Sequence, residues 1–285
     1  DAGFGLVICG HINLLPAAWF AARRCKTPLV LMVYGVEVWS SGSWLRRYML
    51  HRIDAIVAIS AFTVKRLREW AVISGDRIFL IPNAVDLNAI TPGERNEDLR
   101  RRLGFGSGPI LLTLGRMDAA ERAKGFDEVL EVLTSLLEDY PTLTYCAEGD
   151  GIDRQRLEDK AARLGVSDCT VFPGYIPEDE KLELYSLADL FVMPSRLEGF
   201  GYVFLEALAA DLPVVASSID GSREAVRGGA WGSLADPNNR DEILNAIRSS
   251  LRNPKVPPRE ELEYFSTGRF RGRVWKVLEQ AARVQ

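Results

Sequence analysis

The chain has 285 residues, 47% of them hydrophobic and 26% charged, which excludes a disordered or low-complexity polymer and leaves room for one or two domains with real cores. Lys and Arg total 35 against 39 Asp and Glu, so a net charge of -4 offers no bulk attraction for nucleic acid. Four cysteines (Cys9, Cys25, Cys146, Cys169) stand far apart with only two histidines in the chain, which argues against a disulfide framework or a zinc site. No apolar run approaches the ~18 residues of a membrane span and no secretory leader opens the chain, so the expectation is a soluble, cytoplasmic protein with reduced thiols.

Short β-rich runs alternate with helical periodicity throughout, the pattern of parallel sheets covered by helices. In the first part the strands are expected at 6–9, 28–34, 55–59 and 77–81, with helices near 13–24, 43–51 and 61–70. Ser60 is the expected N-cap of the third helix, because its hydroxyl can accept an orphan backbone N–H. The polar, Arg- and Gly-rich stretch 91–108 is the best domain boundary. A second series follows, with strands at 110–114, 143–147, 170–172, 190–193 and 213–216. Its helices are expected at 125–139, 152–164, 178–187, 202–210 and 239–252, and a last helical stretch occupies 258–283. Residues 1–88 carry 10 Lys/Arg against 6 Asp/Glu. These cations either sit at helix C-termini, where the dipole favours them, or form a basic face for an anionic acceptor or lipid surface.

Three segments of the second part carry chemistry. After the strand at 110–114 come Gly115-Arg116, a polar loop, and Lys124-Gly125 opening a helix; two cations beside outward-pointing amides suit a diphosphate. After the strand at 190–193 comes Glu198-Gly199-Phe200-Gly201, with Glu206 completing an E-x7-E pattern. The glycines let backbone approach a ligand, and carboxylates accept sugar and ribose hydroxyls. A helix spanning both carboxylates would part them by roughly 12 Å, beyond the ~5–9.5 Å of two-carboxylate hydrolysis, so two separate binding roles are expected. The turn 172–177, with Tyr175 and Ile176, could meet a flat base. A dinucleotide-dependent oxidoreductase is excluded, because Gly104, Gly106 and Gly108 precede a strand instead of following one.

In this order the segments resemble the retaining glycosyltransferases of family 4 (GT4), which have the GT-B fold. The resemblance extends over Gly-His-Ile-Asn-Leu-Leu-Pro (10–16), Tyr-Gly-Val-Glu-Val-Trp (34–39), Ile-Ser-Ala-Phe-Thr (59–63) and Ile-Pro-Asn-Ala-Val-Asp (81–86). It continues through Gly-Arg…Lys-Gly (115–125), Glu-Gly-Asp-Gly (148–151) and the E-x7-E segment. It implies an α/β chain of two Rossmann-like parallel-sheet lobes facing a cleft. Their expected extents are 1–88 for an acceptor-side lobe, 89–257 for a nucleotide-sugar donor lobe, and 258–285 for a C-terminal helix that packs back on the first lobe. The opening strand and Gly-rich loop of the family's first lobe are not found, so that lobe is expected to be truncated.

The implied activity is transfer of a hexose from a UDP-, GDP- or ADP-sugar such as UDP-glucose to an acceptor hydroxyl, with retention and without metal or other cofactor. No Asp-x-Asp triplet of the metal-dependent transferases stands in the chain. By position, Arg116 and Lys124 would hold the diphosphate, Glu206 the ribose, and Glu198 with the Gly199-Phe200-Gly201 amides the sugar hydroxyls and distal phosphate. Backbone at Tyr175 and Ile176 would take the base, and His11 would lie near the transferred sugar. Between Arg116 and Lys124 the loop is longer than the family usually has, and it holds Glu121 and Arg122. The partners expected are the nucleotide sugar and a glycan, lipid or small-molecule acceptor, with peripheral membrane contact through the basic first lobe. The alternative is a donor-binding module that binds or slowly hydrolyses nucleotide sugar without efficient transfer.

Overall fold

The computed structural model describes residues 4–40 and 43–283. Runs such as Val30-Leu31 and Leu111-Leu112 are fully buried on both strand faces, which only a sheet covered by helices on both sides allows. Two parallel sheets result. The first sheet has β1 (Val7–Cys9), β2 (Leu29–Val33), β3 (Ala55–Ala58) and β4 (Ile78–Leu80) side by side in chain order. Its crossovers contain α1 (Leu15–Cys25), α2 (Trp44–Leu50) and α3 (Ala61–Arg68). Ser60 caps α3 as expected, its hydroxyl accepting the Thr63 N–H at 3.0 Å. Arg23, Arg24, Arg47, Lys65, Arg66 and Arg68 all fall in the last turns of these helices, at the negative ends of their dipoles.

The second part begins with α4 (Glu97–Arg102), inside the stretch read as a linker. Asn96 caps it, accepting from Asp98 and Leu99 at 3.0 Å, and Glu97 and Asp98 open it while three arginines close it. Then follow β5 (Ile110–Leu114), α5 (Phe126–Asp139), β6 (Thr144–Glu148), α6 (Arg154–Leu164) and β7 (Thr170–Val171). The series continues with α7 (Glu178–Leu187), β8 (Leu190–Met193), α8 (Tyr202–Ala209), β9 (Val214–Ser217), α9 (Ser222–Ala225) and β10 (Ser233–Ala235). It ends with α10 (Arg240–Arg252) and α11 (Arg259–Leu262). The strand order is β10-β9-β8-β5-β6-β7, all parallel.

The expected single helix over 258–283 is broken. A short turn follows α11, and α12 (Thr267–Ala282) starts afresh behind Ser266, which accepts the Arg269 N–H at 3.4 Å. Arg259 explains the separation, since it donates to the carbonyls of Ala209 at 3.0 Å and Ile90 at 2.9 Å and fixes α11 within the second unit. Val277 and Ala281 of α12 share a core with Val30, Ala55 and Val57 of the first sheet. The chain divides into one unit that runs to Ala84 and resumes at Tyr264, and another of Val85–Glu263. These divisions stand a few residues from the 88 and 257 read from sequence. Among the described residues no helix is long and apolar enough to cross a membrane.

The face of α5 away from the sheet is tied to α6 by charge. Asp127 accepts from both Arg156 terminal nitrogens at 2.7 and 2.6 Å and from Lys160 at 2.7 Å. Burial alone would raise the Asp127 carboxyl, but Arg156 and Lys160 outweigh it and hold it at about 2. A depressed folded-state value means that the stabilisation is present above the ordinary Asp range and is lost as pH falls towards 2. Asp127→Asn is therefore expected to destabilise the protein by about 2–3 kcal/mol at neutral pH. Its unfolding curves should also lack part of the wild-type loss of stability between about pH 4 and 2. Chemical denaturation across that range measures both; an unchanged acid slope would show that Asp127 does not carry it.

Candidate functional site

In the second sheet the chain builds outward from β5 through β6 to β7, then restarts at β8 on the other side of β5. Loops leaving the C-terminal ends of β5 and β8 diverge at that reversal, the position where open parallel sheets bind ligands. Gly125, with φ of +90°, ends the β5 loop so close to Pro194 that a Cβ would stand 2.7 Å from the proline Cδ. The Arg196 N–H donates to the Ala123 carbonyl at 2.7 Å. This backbone contact brings Lys124 to Glu198, and Nζ donates to Oε2 at 3.0 Å. The other oxygen, Oε1, accepts from Gly199 at 3.1 Å, Gly201 at 3.0 Å and Phe200 at 3.5 Å. Because α8 begins at Tyr202, the Glu198 carboxylate sits where the helix presents its positive end. No helix spans both carboxylates of the E-x7-E pattern. The Phe200 ring is buried, so this residue meets the site only through its backbone.

Asp220 fixes the loop from below and was not singled out in the sequence. It is 3% exposed and accepts from Ser195 Oγ at 2.6 Å and the Glu198 N–H at 3.0 Å through one oxygen. Through the other it accepts from Ser222 Oγ at 2.6 Å and the Ser222 N–H at 3.0 Å. Burial pushes its carboxyl up, and these four bonds oppose that. Gly221 then donates its N–H to the Glu198 carbonyl at 2.8 Å, with no room for a side chain, since a Cβ would lie 2.1 Å from the Gly199 oxygen. A signal was available: an aspartate two residues before a serine, in the loop after a buried strand, is a local cap pattern.

Glu206 lies deeper than its proposed role suggested, at 1% exposed. Lys181 donates to Oε1 at 2.9 Å and Tyr185 to Oε2 at 2.8 Å. Burial opposes the charge on Lys181, but Glu178 and Glu206 prevail and raise its value, so it stays a cation. Of the backbone at Tyr175 and Ile176 expected to meet the base, the Ile176 N–H is engaged within the chain. It donates to Glu148 Oε1 at 3.0 Å, because buried Glu148 ends β6 directly beneath the turn. The turn therefore has other backbone groups and the exposed Tyr175 ring to offer a base, not this amide. Burial also raises the Glu148 carboxyl.

Arg116 is exposed just past the end of β5, and the adjoining Gly115 N–H donates to the Glu148 carbonyl at 3.2 Å. Arg122 pairs with Asp153 at 3.5 Å, and the Glu121 side chain lies outside the described residues. His11 belongs to the first unit and caps a short turn, with Nδ1 accepting the Asn13 N–H at 3.1 Å. In a neutral imidazole that leaves the proton on Nε2. The structure thus joins Lys124, Glu198 and the 199–201 amides in one cluster and Glu206 with Lys181 and Tyr185 in another. Among the described residues no group of three His, Cys, Asp or Glu could hold a metal ion. Asp220→Ala should lower stability by about 2–3 kcal/mol, since it strands hydroxyl and amide donors in the interior. Hydrogen exchange should accelerate first in 195–201; exchange spread evenly over the unit would deny Asp220 a local role.

A family model described as "Glycosyl transferases group 1" matches residues 95–267, and one described as "Glycosyltransferase Family 4" matches 3–89. A D-inositol 3-phosphate glycosyltransferase of Geodermatophilus obscurus is 35% identical over 70% of this chain and 45% of its own length. A GDP-mannose-dependent alpha-(1-6)-phosphatidylinositol monomannoside mannosyltransferase of Mycolicibacterium smegmatis is 31% identical over 82% of this chain and 64% of its own. The chain thus spans about half to two thirds of the curated relatives it matches. Anabaena HepE, solved in complex with UDP, superposes with a TM-score of 0.84 at 21% identity, covering 96% of this chain and 78% of that one. A Rickettsia africae glycosyltransferase gives 0.81 at 20% identity, over 94% and 74%. These solved structures share the GT-B fold.

Proposed function

The chain belongs to the group 1 glycosyl transferases, and from that membership and the geometry at the β5 and β8 loops we propose that it moves a hexose from a nucleoside diphosphate sugar to an acceptor hydroxyl, with retention and without a metal. The observation that carries this reading is the convergence of Lys124 and three backbone N–H groups on a single carboxylate at the head of α8. Such a site is built for an anion. A departing diphosphate gathers negative charge during transfer, and fixed donors aimed at it lower the barrier because they need no reorganisation. Lys124 and the 199–201 amides would take the distal phosphate and Arg116 the rest of the diphosphate.

Glu206 is proposed for the ribose. Lys181 donates to one of its oxygens and Tyr185 to the other, and a carboxylate oxygen can accept a second hydrogen bond, so one hydroxyl can be received at each. Tyr175 would cover the base. The acceptor oxygen would attack on the face that the diphosphate leaves, and the leaving phosphate would take its proton, so no protein nucleophile is needed. His11, with its proton on Nε2, is proposed as a hydrogen-bond donor to substrate.

Titration calorimetry with UDP, GDP and ADP tests the reading, and binding is expected to persist in EDTA. A strict need for Mg²⁺ or Mn²⁺ would overturn the metal-independent part. Glu206→Ala should weaken the nucleoside diphosphate that binds by roughly 1.5–3 kcal/mol, the range for hydrogen bonds to a charged group. The same Glu206→Ala loss for inorganic pyrophosphate, which has no ribose, would show that Glu206 does not meet the ribose. Incubation with UDP-glucose or GDP-mannose and a panel of sugar and lipid acceptors would then separate transfer from simple hydrolysis.

A further inference from the structure

The donors proposed for the distal phosphate are already engaged. Glu198 folds its side chain back so that one oxygen lies on the amides of Gly199, Phe200 and Gly201 while the other takes Lys124. A phosphate that claims these groups must first expel a carboxylate of the same charge. The two anions cannot share the position, since like charges a few ångströms apart repel strongly where water is scarce. Lys124 and Glu198 are both largely covered, with side chains 21% and 18% exposed.

We infer that Glu198 is an internal competitor for the diphosphate and that this competition discriminates donor from product. The inference rests on the donor-site reading above and adds a second role to Glu198. Backbone movement is not required. The Glu198 N–H is held by Asp220 at 3.0 Å and its carbonyl by Gly221 at 2.8 Å, so the peptide is pinned on both sides. The side chain alone has to turn. When an intact sugar nucleotide enters, the displaced carboxylate finds new partners in the sugar hydroxyls, which replace the bonds it gives up. A bare nucleoside diphosphate offers it no such hydroxyls. Displacement is then uncompensated, product binds more weakly than the exposed amides and Lys124 would dictate, and the carboxylate returns as product leaves.

The consequence has an unusual sign. Removing a residue at the centre of a binding site should tighten one of its ligands. Glu198→Gln keeps the shape but removes the charge, and UDP or GDP should bind it about tenfold more tightly than the wild type, the equivalent of ~1.4 kcal/mol or about one charge-assisted hydrogen bond. UDP-glucose or GDP-mannose should gain less, so that the preference for sugar nucleotide over diphosphate shrinks. Calorimetry with the four ligands on wild type, Glu198→Gln and Glu198→Ala measures this, with thermal unfolding in parallel. Glu198→Ala cannot cap its own loop and provides the same comparison should the glutamine amide find a new bond there. Diphosphate affinity unchanged or weakened in both folded variants, with the wild type binding normally, overturns the competition and leaves the donor-site reading intact. If no nucleotide binds any of the three proteins, the donor-site reading itself falls and the competition with it.

Discussion

The close approach of two loops at the C-terminal ends of β5 and β8 is the constraint on which the candidate site depends. Gly125 lies against Pro194 with no space for a side chain, and the Arg196 N–H closes on the Ala123 carbonyl at 2.7 Å. Without that contact Lys124 would be one more solvated cation, and its ion pair would be worth little. With it, a lysine at the end of one loop and the leading amides of α8 are held together by main chain, whose positions do not depend on the rotamer of any long side chain. The reversal of strand order between β5 and β8 supplies the crevice, and these two loops supply its chemistry.

Much of this was legible in the sequence because the signals were local. The short, mostly apolar runs at 110–114 and 190–193, without a charge, read as covered strands, and Ser60 stood where a helix needed a hydroxyl. The E-x7-E segment announced two carboxylates and two close-packed glycines. What the sequence withheld were environments made by distant residues. That the Ile176 amide is taken by Glu148 depends on a partner 28 positions away, and that Glu206 meets Lys181 and Tyr185 depends on α7 packing beside α8. Asp220 stood in a readable local pattern two residues before Ser222, but its reach to Ser195 and Glu198 across two loops was not legible. The helix at 97–102 was lost behind its own arginines, although Asn96 followed by two acids is a good start signal. The break before α12 had a local sign in Ser266 as its N-cap, but the Arg259 contacts that fix α11 in the second unit are made by distant residues.

Four carboxylates at this end of the second unit, Glu148, Glu198, Glu206 and Asp220, are mostly or wholly removed from solvent, and each is anchored by named donors. A buried carboxylate without partners would be costly, so each one dictates the position of the groups that satisfy it. Asp220 dictates the loop backbone, Glu148 the turn at 172–177, and Glu206 the pairing of α7 with α8. Asp220 accepts from the β8 loop and from Ser222, Glu206 from α7, and Glu148 from the turn at 172–177, so moving any of them would leave donors unsatisfied on another element.

Glu198 differs from the other three in what it holds. Three of its four donors are its own next three amides, and only Lys124 comes from another loop, the one after β5. Under the competition proposed above, turning its side chain away gives up these four bonds, and a charged ligand on the same donors replaces them. On that proposal the same unit contains carboxylates that must stay and one that can leave. The distinction follows from where most of the donors come from, since a bond to an amide of the same loop can be exchanged for a ligand without pulling two elements apart, and the two loops stay joined by the Arg196 N–H on the Ala123 carbonyl. A site that has to admit a polyanion, stabilise it while charge builds, and then release it needs a rigid frame with one exchangeable anion in it. On the proposal above, the backbone clamp on residue 198 and the turn of its side chain supply those two properties in one residue.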